Sequence, residues 1–174
     1  MIKKGYAKTT LADVAEAAGM YPSHLLYYFD GKDAILQQFF QNVAKQIVQR
    51  LEKFRKETPE AQIDLLTELF FAGTSITKSE IGLMLECFGV AVNDKVLRYE
   101  KEKLDIKCKA YLEALLEQTP RGFLSDTKDS AEVAYATLIG LRAAVYFDDS
   151  FELPDGHRLF REAMLRIAGL EASQ

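Results

Sequence analysis

Side chains able to exchange hydrogen bonds with a partner stand together in one short stretch near the N-terminus. Residues 21–28 read Tyr-Pro-Ser-His-Leu-Leu-Tyr-Tyr, so hydroxyl groups and an imidazole lie close together. Such side chains can hydrogen-bond to base edges in a DNA major groove or contact thymine methyl groups. If the stretch is a helix, its outward positions would be Tyr21, Pro22, Ser23, His24 and Tyr27.

The rest of the sequence offers no comparable set for catalysis or metal binding. The two histidines, His24 and His157, are far apart and lack neighbours at the spacing of metal ligands. Cys87 and Cys108 are expected to be small core residues, because a reactive thiol needs an electropositive setting. No phosphate-binding glycine loop or nucleophile motif is recognisable. We therefore predict no enzyme activity, no cofactor and no metal.

Length and composition restrict the class of protein further. The 174 residues are 48% hydrophobic and 28% charged, which is typical of a globular chain. A net charge of −4 argues against sequence-independent coating of nucleic acid, although residues 1–45 are slightly basic. No run approaches the about 20 apolar residues that a membrane span needs, and no secretory signal is visible. We expect a cytoplasmic protein without a membrane partner.

Two short helices are predicted around a glycine turn. Thr10 and Asp13 have the spacing of a capping box, and Gly19 is suited to end the helix that follows. Pro22 suits the first position of the second helix. The apolar side chains that we expect to point inward from it are Leu25, Leu26 and Phe29.

The remaining chain is also predicted to be helical, so the expected fold class is all-α. Apolar residues recur every three to four positions, and no strand-like alternation is found. Ser79 is a candidate cap for one helix, and Asn93-Asp94 is expected to break or kink the chain before the next. The predicted helices cover about 31–56, 59–77, 79–92, 97–118, 128–147 and 156–170.

The pair of short helices has the pattern of a helix-turn-helix. In that motif the first helix braces the second, which enters the major groove with its N-terminal residues at the base edges. Lys32, at the start of the next helix, is placed to contact a phosphate. The same pattern also occurs in helical proteins without a DNA role, so the pattern alone leaves both interpretations open.

Four strings strengthen the DNA-binding interpretation: GYAKTT at 5–10, VAEAAGM at 14–20, LLYYF at 25–29 and KDAIL at 32–36. Together they resemble the DNA-binding head of TetR-family transcriptional regulators over residues 5–40. The resemblance implies a head, 1–45, that binds a palindromic operator as a homodimer. It also implies a ligand-binding and dimerisation domain, 46–174. When a small-molecule effector binds this domain, the protein releases its DNA. Most members of the family act as repressors.

The resemblance also suggests roles for individual residues in the head. Tyr28 and Lys32 match positions that grip the DNA backbone, and Tyr21 replaces a small serine, which loses a cap worth about 1 kcal/mol. Leu26 replaces a frequent tyrosine, so one phosphate-binding hydroxyl is absent. The DNA-contacting residues implied are Thr10, Tyr21, Pro22, Ser23, His24, Tyr27, Tyr28 and Lys32.

The sequence departs from the family pattern before Gly5, where family members have a further helix and this sequence has only residues 1–4. Two interpretations are open. The start is misplaced or trimmed, or the chain is a truncated homologue. The second gives the alternative function, a helical dimeric protein that binds a ligand or a partner and whose head no longer binds DNA.

Aromatic and soft side chains in the body are candidates for an effector pocket. Ordinary core packing is the competing interpretation for each of them. Tyr99 and Tyr111 are the stronger candidates, because a buried hydroxyl needs a partner. Few charges interrupt the inward faces, so we expect a small apolar or aromatic effector. The candidates are Phe70, Phe71, Met84, Cys87, Phe88, Tyr99 and Tyr111.

The last two helices match the usual dimer surface of the family, where two helices from each chain form a four-helix bundle. The competing interpretation is packing within one monomer. The candidate residues are Val133, Thr137, Gly140, Leu141 and Ala144 on one helix, and Phe160, Ala163, Met164 and Ile167 on the other.

Overall fold

The computed structural model describes residues 5–72, 77–120 and 126–170, and these form eight α-helices without a strand. The prediction of an all-α fold is therefore confirmed. The helices are α1 Leu11–Ala17, α2 Pro22–Tyr28, α3 Lys32–Phe54, α4 Pro59–Phe71, α5 Lys78–Val90, α6 Lys95–Leu116, α7 Thr127–Phe147 and α8 Leu153–Ile167. We call residues 5–45 the head and the rest the body.

The local signals in the head act as the sequence predicts. The amide N–H of Asp13 donates to Thr10 Oγ1 at 3.1 Å, and the amide N–H of Thr10 donates to Asp13 Oδ2 at 2.8 Å. This capping box satisfies two otherwise free N–H groups at the start of α1. Gly19 has φ +65°, which reverses the chain after α1, and Pro22 is the first residue of α2.

Several predicted boundaries and one predicted orientation are wrong. Thr77, not Ser79, caps α5 in a box with Glu80, and α4 already ends at Phe71. The predicted end of that helix, 73–77, lies largely outside the described residues. Helix α8 begins at Leu153 instead of residue 156, because a proline fits its first turn. Leu26 is 51% exposed, since α2 is only two turns long and turns Leu25 toward α1 instead.

The body packs α6 against α7, α4 against α8 and α7 against α8 around one core. The rings of Phe71 and Phe160 meet at 5.5 Å, and a Cβ on Gly156 would lie 2.6 Å from Phe71. Polar groups in this core are paired, as where the Tyr111 hydroxyl donates to Gln62 Oε1 at 2.7 Å. The core is therefore closely packed around its aromatic side chains.

Helix α3 joins the head to the body. Its buried residues Leu36 and Phe40 belong to the same core cluster as Leu51, about four turns further along. The side-chain amide of Gln37 also donates to Asp94, which caps α6, at 3.0 Å. Among the described helices, none is both long and apolar enough to cross a membrane.

Candidate functional site

Helix α2 presents an uncovered aromatic surface. Tyr21 and Tyr27 are 75% and 82% exposed, and Tyr28 is also exposed. Pro22, Ser23 and His24 lie in solvent on the same short helix. Large exposed aromatic side chains usually mark a surface that meets a partner. The structure thus leaves the six predicted DNA-contacting residues of α2 and its cap open to a partner.

Thr10 and Lys32, the two predicted phosphate contacts that precede or follow α2, also form hydrogen bonds within the head. Thr10 is exposed, but its hydroxyl belongs to the capping box of α1. The ammonium of Lys32 donates to the carbonyl oxygen of Tyr6 at 2.9 Å and lies 4.3 Å from the centre of the Tyr6 ring. The Tyr6 hydroxyl donates to Asp33. Lys32 therefore holds the segment before α1, while its other N–H donors remain for a phosphate.

The head also contacts the body through one carboxylate on α5. The amide N–H of Tyr6 donates to Glu86 Oε2 at 2.7 Å. Neighbouring residues of α5, Met84, Leu85 and Phe88, line a cavity in the body. A single helix therefore connects the cavity wall with the segment that Lys32 fixes.

The cavity consists of two adjoining chambers that share Ile47, Phe70, Met84 and Arg142 in their walls. The outer chamber has a volume of about 190 Å³ and the inner one of about 50 Å³. The outer chamber adds Phe39, Val43, Gln46, Arg50, Leu69 and Glu80. The inner chamber adds Ile81, Leu85, Phe88, Leu104, Cys108, Tyr135, Leu138 and Ile139.

The predicted effector residues divide into three groups. Phe70, Met84 and Phe88 line the cavity, whereas Phe71 and Cys87 are buried in the core away from it. Tyr111 borders only a void of about 10 Å³. Tyr99 is 58% exposed and carries the ammonium of Lys103 over its ring, so the expectation of a buried Tyr99 is wrong. The cause is the periodicity of α6, which turns Leu97 inward and Tyr99 outward.

Sequence reasoning missed Arg142, the charged residue that lines both chambers of the cavity. Its Nη1 donates to the carbonyl oxygen of Phe70 at 2.7 Å, and desolvation lowers the pKa of the guanidinium to about 10. Within the described residues no hydrogen bond or ion pair joins it to a carboxylate, although the charge of Glu80 acts on it and opposes part of that lowering. The sequence signal is a lone cation in the apolar run of α7, between Leu138 and Val145.

The thiols of Cys87 and Cys108 lie in surroundings that disfavour the reactive thiolate form. Cys87 and Cys108 are both buried and free. Burial raises the pKa of each thiol to about 12, so both stay protonated near neutral pH. No cluster of three or more metal-binding side chains is found in the part of the chain that the structure covers.

A shallow groove runs between α7 and α8, and Val133, Thr137, Ala163 and Ile167 line it. Gly140 is exposed, and a Cβ built on it meets nothing within 4 Å. Leu141 and Ala144 are partly buried on the same helix. Phe160 and Met164, predicted to lie in a dimer surface, are buried in the core of the monomer instead. On the amphipathic α8, they lie on the face that packs against α4 and α7.

Comparison with known proteins identifies the head. The sequence profile described as "Bacterial regulatory proteins, tetR family" matches residues 1–39, which include α1, the turn, α2 and the first turns of α3. The head of this chain is therefore similar to that of the TetR family. No curated protein is detectably similar to it in sequence.

Solved structures of transcriptional regulators share this fold along 92–99% of the chain. A transcriptional regulator from Rhodococcus sp. Rha1 superposes with a TM-score of 0.83 at 15% identity, covering 99% of this chain and 92% of that one. A TetR transcription regulator from Haloarcula marismortui gives 0.79 at 21% identity, covering 94% and 89%. A Saccharomonospora viridis protein described as a transcriptional regulator, in complex with choline, gives 0.76 at 14%, covering 92% and 87%.

Proposed function

We propose that this chain is a ligand-responsive transcriptional repressor of the TetR family without catalytic activity, acting in the cytoplasm. As a homodimer, it would bind a palindromic operator through residues 1–45 and release it when a small molecule occupies 46–174. The observation that carries the proposal is the solvent-exposed α2 in a head that matches the family profile.

The character of α2 suggests how operator DNA is recognised. Ser23 and His24 in its first turn can form hydrogen bonds with base edges, and Pro22 can contact a thymine methyl group. Tyr21, Tyr27 and Tyr28 carry hydroxyl groups that can reach phosphates or bases. Because hydroxyl and aromatic groups outnumber cations on this helix, it is better suited to sequence recognition than to charge-driven attachment.

The groove between α7 and α8 supports a two-fold dimer. Gly140 leaves room beside α7 that the monomer does not use, so a helix of a second copy can approach closely there. Val133, Thr137 and Ala163 are small or medium-sized side chains suited to such packing. A two-fold dimer would place two heads on the two halves of a palindrome.

The contact between Tyr6 and Glu86 supports coupling between effector and DNA. A molecule that displaces Met84 or Phe88 would move α5, and Glu86 would carry that shift to the segment before α1. If the effector and the operator favour different positions of the head, each weakens the binding of the other.

The test is fluorescence anisotropy with labelled DNA from upstream of the gene for this protein, at two salt concentrations and with random DNA as competitor. We expect saturable binding that survives the competitor. If a folded, dimeric protein shows no preference for any upstream fragment, the proposal is wrong. The alternative, a dimeric ligand-binding or interaction protein without a DNA role, would then replace it.

A further inference from the structure

The most unusual group in the body is the guanidinium of Arg142 in an apolar cavity. It lines both chambers, while most of the residues around it are aliphatic or aromatic. A guanidinium has five N–H donors, and the Phe70 carbonyl oxygen accepts from one nitrogen. Withdrawing a cation from water without a carboxylate hydrogen-bonded to it is costly, which makes the site favourable for an anion.

The neighbouring polar groups offset the charge of this cation only in part, through the nearby carboxylate of Glu80. Glu80 also lines the outer chamber, but its Oε2 accepts from the amide N–H of Thr77 at 2.7 Å and from its hydroxyl at 3.0 Å. The hydroxyl of Tyr135 donates to Asp105, which also pairs with Lys101 at 2.6 Å. Arg50, near the solvent side of the outer chamber, adds a second positive charge. The lining therefore has an excess of positive charge inside apolar walls.

We propose that the cavity binds a small monocarboxylate with an apolar body, whose carboxylate pairs with Arg142. The planar guanidinium can bind a carboxylate through two parallel hydrogen bonds, a geometry that a choline-like cation or a neutral alcohol cannot use. This inference rests on the proposed function, because it takes the cavity to be the effector site. The sequence led us to expect an apolar or aromatic effector, and the cavity adds that this effector carries a single negative charge.

The volumes limit the size of that molecule. A cavity of roughly 150 Å³ lined by apolar side chains can hold benzene. The outer chamber, at about 190 Å³, therefore suits one ring with a carboxylate, and the inner chamber, at about 50 Å³, is too small for a second ring. Benzoate has the appropriate size and charge.

Direct binding can be measured on the full-length protein by ¹⁹F NMR titration. The probes are 4-fluorobenzoate and its neutral analogue 4-fluorobenzyl alcohol, with choline as an unlabelled competitor. We expect the carboxylate to bind at least about tenfold more tightly than the alcohol, as for other charge-assisted hydrogen bonds. Choline should not displace it. Equal affinity for the two probes, or displacement by choline, would overturn the proposal without any variant.

Substitution of Arg142 then tests whether the bound carboxylate pairs with its guanidinium. Arg142→Gln removes the charge but keeps an N–H donor for the Phe70 carbonyl oxygen at the end of α4, and its fold can be checked by thermal melting. We expect at least about a tenfold loss of carboxylate affinity and less than about a twofold change for the alcohol. Arg158→Gln, on the exposed face of α8 and outside the cavity lining, is the matched control and should change the carboxylate affinity less than about threefold. Retained carboxylate binding in Arg142→Gln would mean that Arg142 only caps α4, which overturns the proposal.

The outcome is separable from the proposed function, because probe binding is measured without DNA. Absence of binding by both probes, in a protein that still binds an operator, overturns the carboxylate site and leaves the regulator intact. If the protein binds the carboxylate but recognises no operator, the carboxylate site is supported and the proposed DNA-binding function is wrong.

Discussion

The head exposes aromatic side chains to water, whereas the body encloses a charged side chain among apolar ones. Tyr21 and Tyr27 on α2 are largely exposed, and Arg142 on α7 lines a cavity in the body. Both arrangements oppose the usual distribution of residues, in which aromatics are covered and charges are solvated. Each costs stability in the isolated protein, so each indicates a place where a partner molecule completes the structure. Under the proposed function, the partner of the head is operator DNA and the partner of the body is a small molecule.

The largest expected effect involves both regions, because in the proposed dimer the two bodies hold the two heads together. Gly140→Arg places a long charged side chain where no atom lies within 4 Å in the monomer. If α7 forms the dimer, this variant should become monomeric and lose more than about a hundredfold in operator affinity, since only one half-site can be engaged. Size-exclusion chromatography with light scattering and anisotropy would measure both. Val92→Arg, exposed at the end of α5, is the control, and a dimeric Gly140→Arg protein would place the interface elsewhere.

A second effect tests the packing of the body. A Cβ on Gly82 in α5 would lie 2.2 Å from the Tyr146 ring, whereas one on Gly89 in the same helix meets nothing within 4 Å. Gly82→Ala should therefore lower the free energy of unfolding by about 1–3 kcal/mol. Gly89→Ala should raise it by up to about 1 kcal/mol, because alanine favours the helix. Urea unfolding followed by circular dichroism measures the difference, and two variants of equal stability would mean that Tyr146 moves aside freely.

Two substitutions in the head distinguish a residue that reads bases from one that contacts the DNA backbone. His24→Ala should change the preference among operator sequences, by about 1–3 kcal/mol at one base pair, because its imidazole is exposed in the first turn of α2. Lys32→Ala should instead weaken binding to all sequences, and reduce the salt dependence by about one unit per head. Anisotropy with mutated operators at several salt concentrations separates the two. A uniform loss in His24→Ala would remove its base-reading role.

The head was more predictable from the sequence than the body for a physical reason. Capping boxes, a turn glycine and a helix-starting proline act within a few residues, so Thr10, Gly19 and Pro22 could be assigned locally. The role of Leu26 was missed, because a two-turn helix buries too few positions for periodicity to resolve. In the body, apolar spacing identified the helices but not which apolar residues meet a cavity. That choice depends on how α3, α4, α5 and α7 pack, which no local pattern contains.

The smallest expected effect concerns communication between the two regions. Glu86→Gln keeps an oxygen that can accept from the amide N–H of Tyr6 but removes its charge. A charge-assisted hydrogen bond exceeds a neutral one by about 1 kcal/mol, so operator affinity should change only about fivefold.

The informative quantity is the factor by which a saturating effector such as benzoate weakens operator binding, measured by anisotropy in both proteins. That factor should fall in Glu86→Gln, because the link between α5 and the head is weaker while the cavity lining is unchanged. Glu132→Gln, which loses a partly exposed ion pair between Glu132 on α7 and Lys109 on α6, is the matched control and should leave the factor unchanged. An unchanged factor in Glu86→Gln would show that coupling passes through α3 instead, where Gln37 meets Asp94.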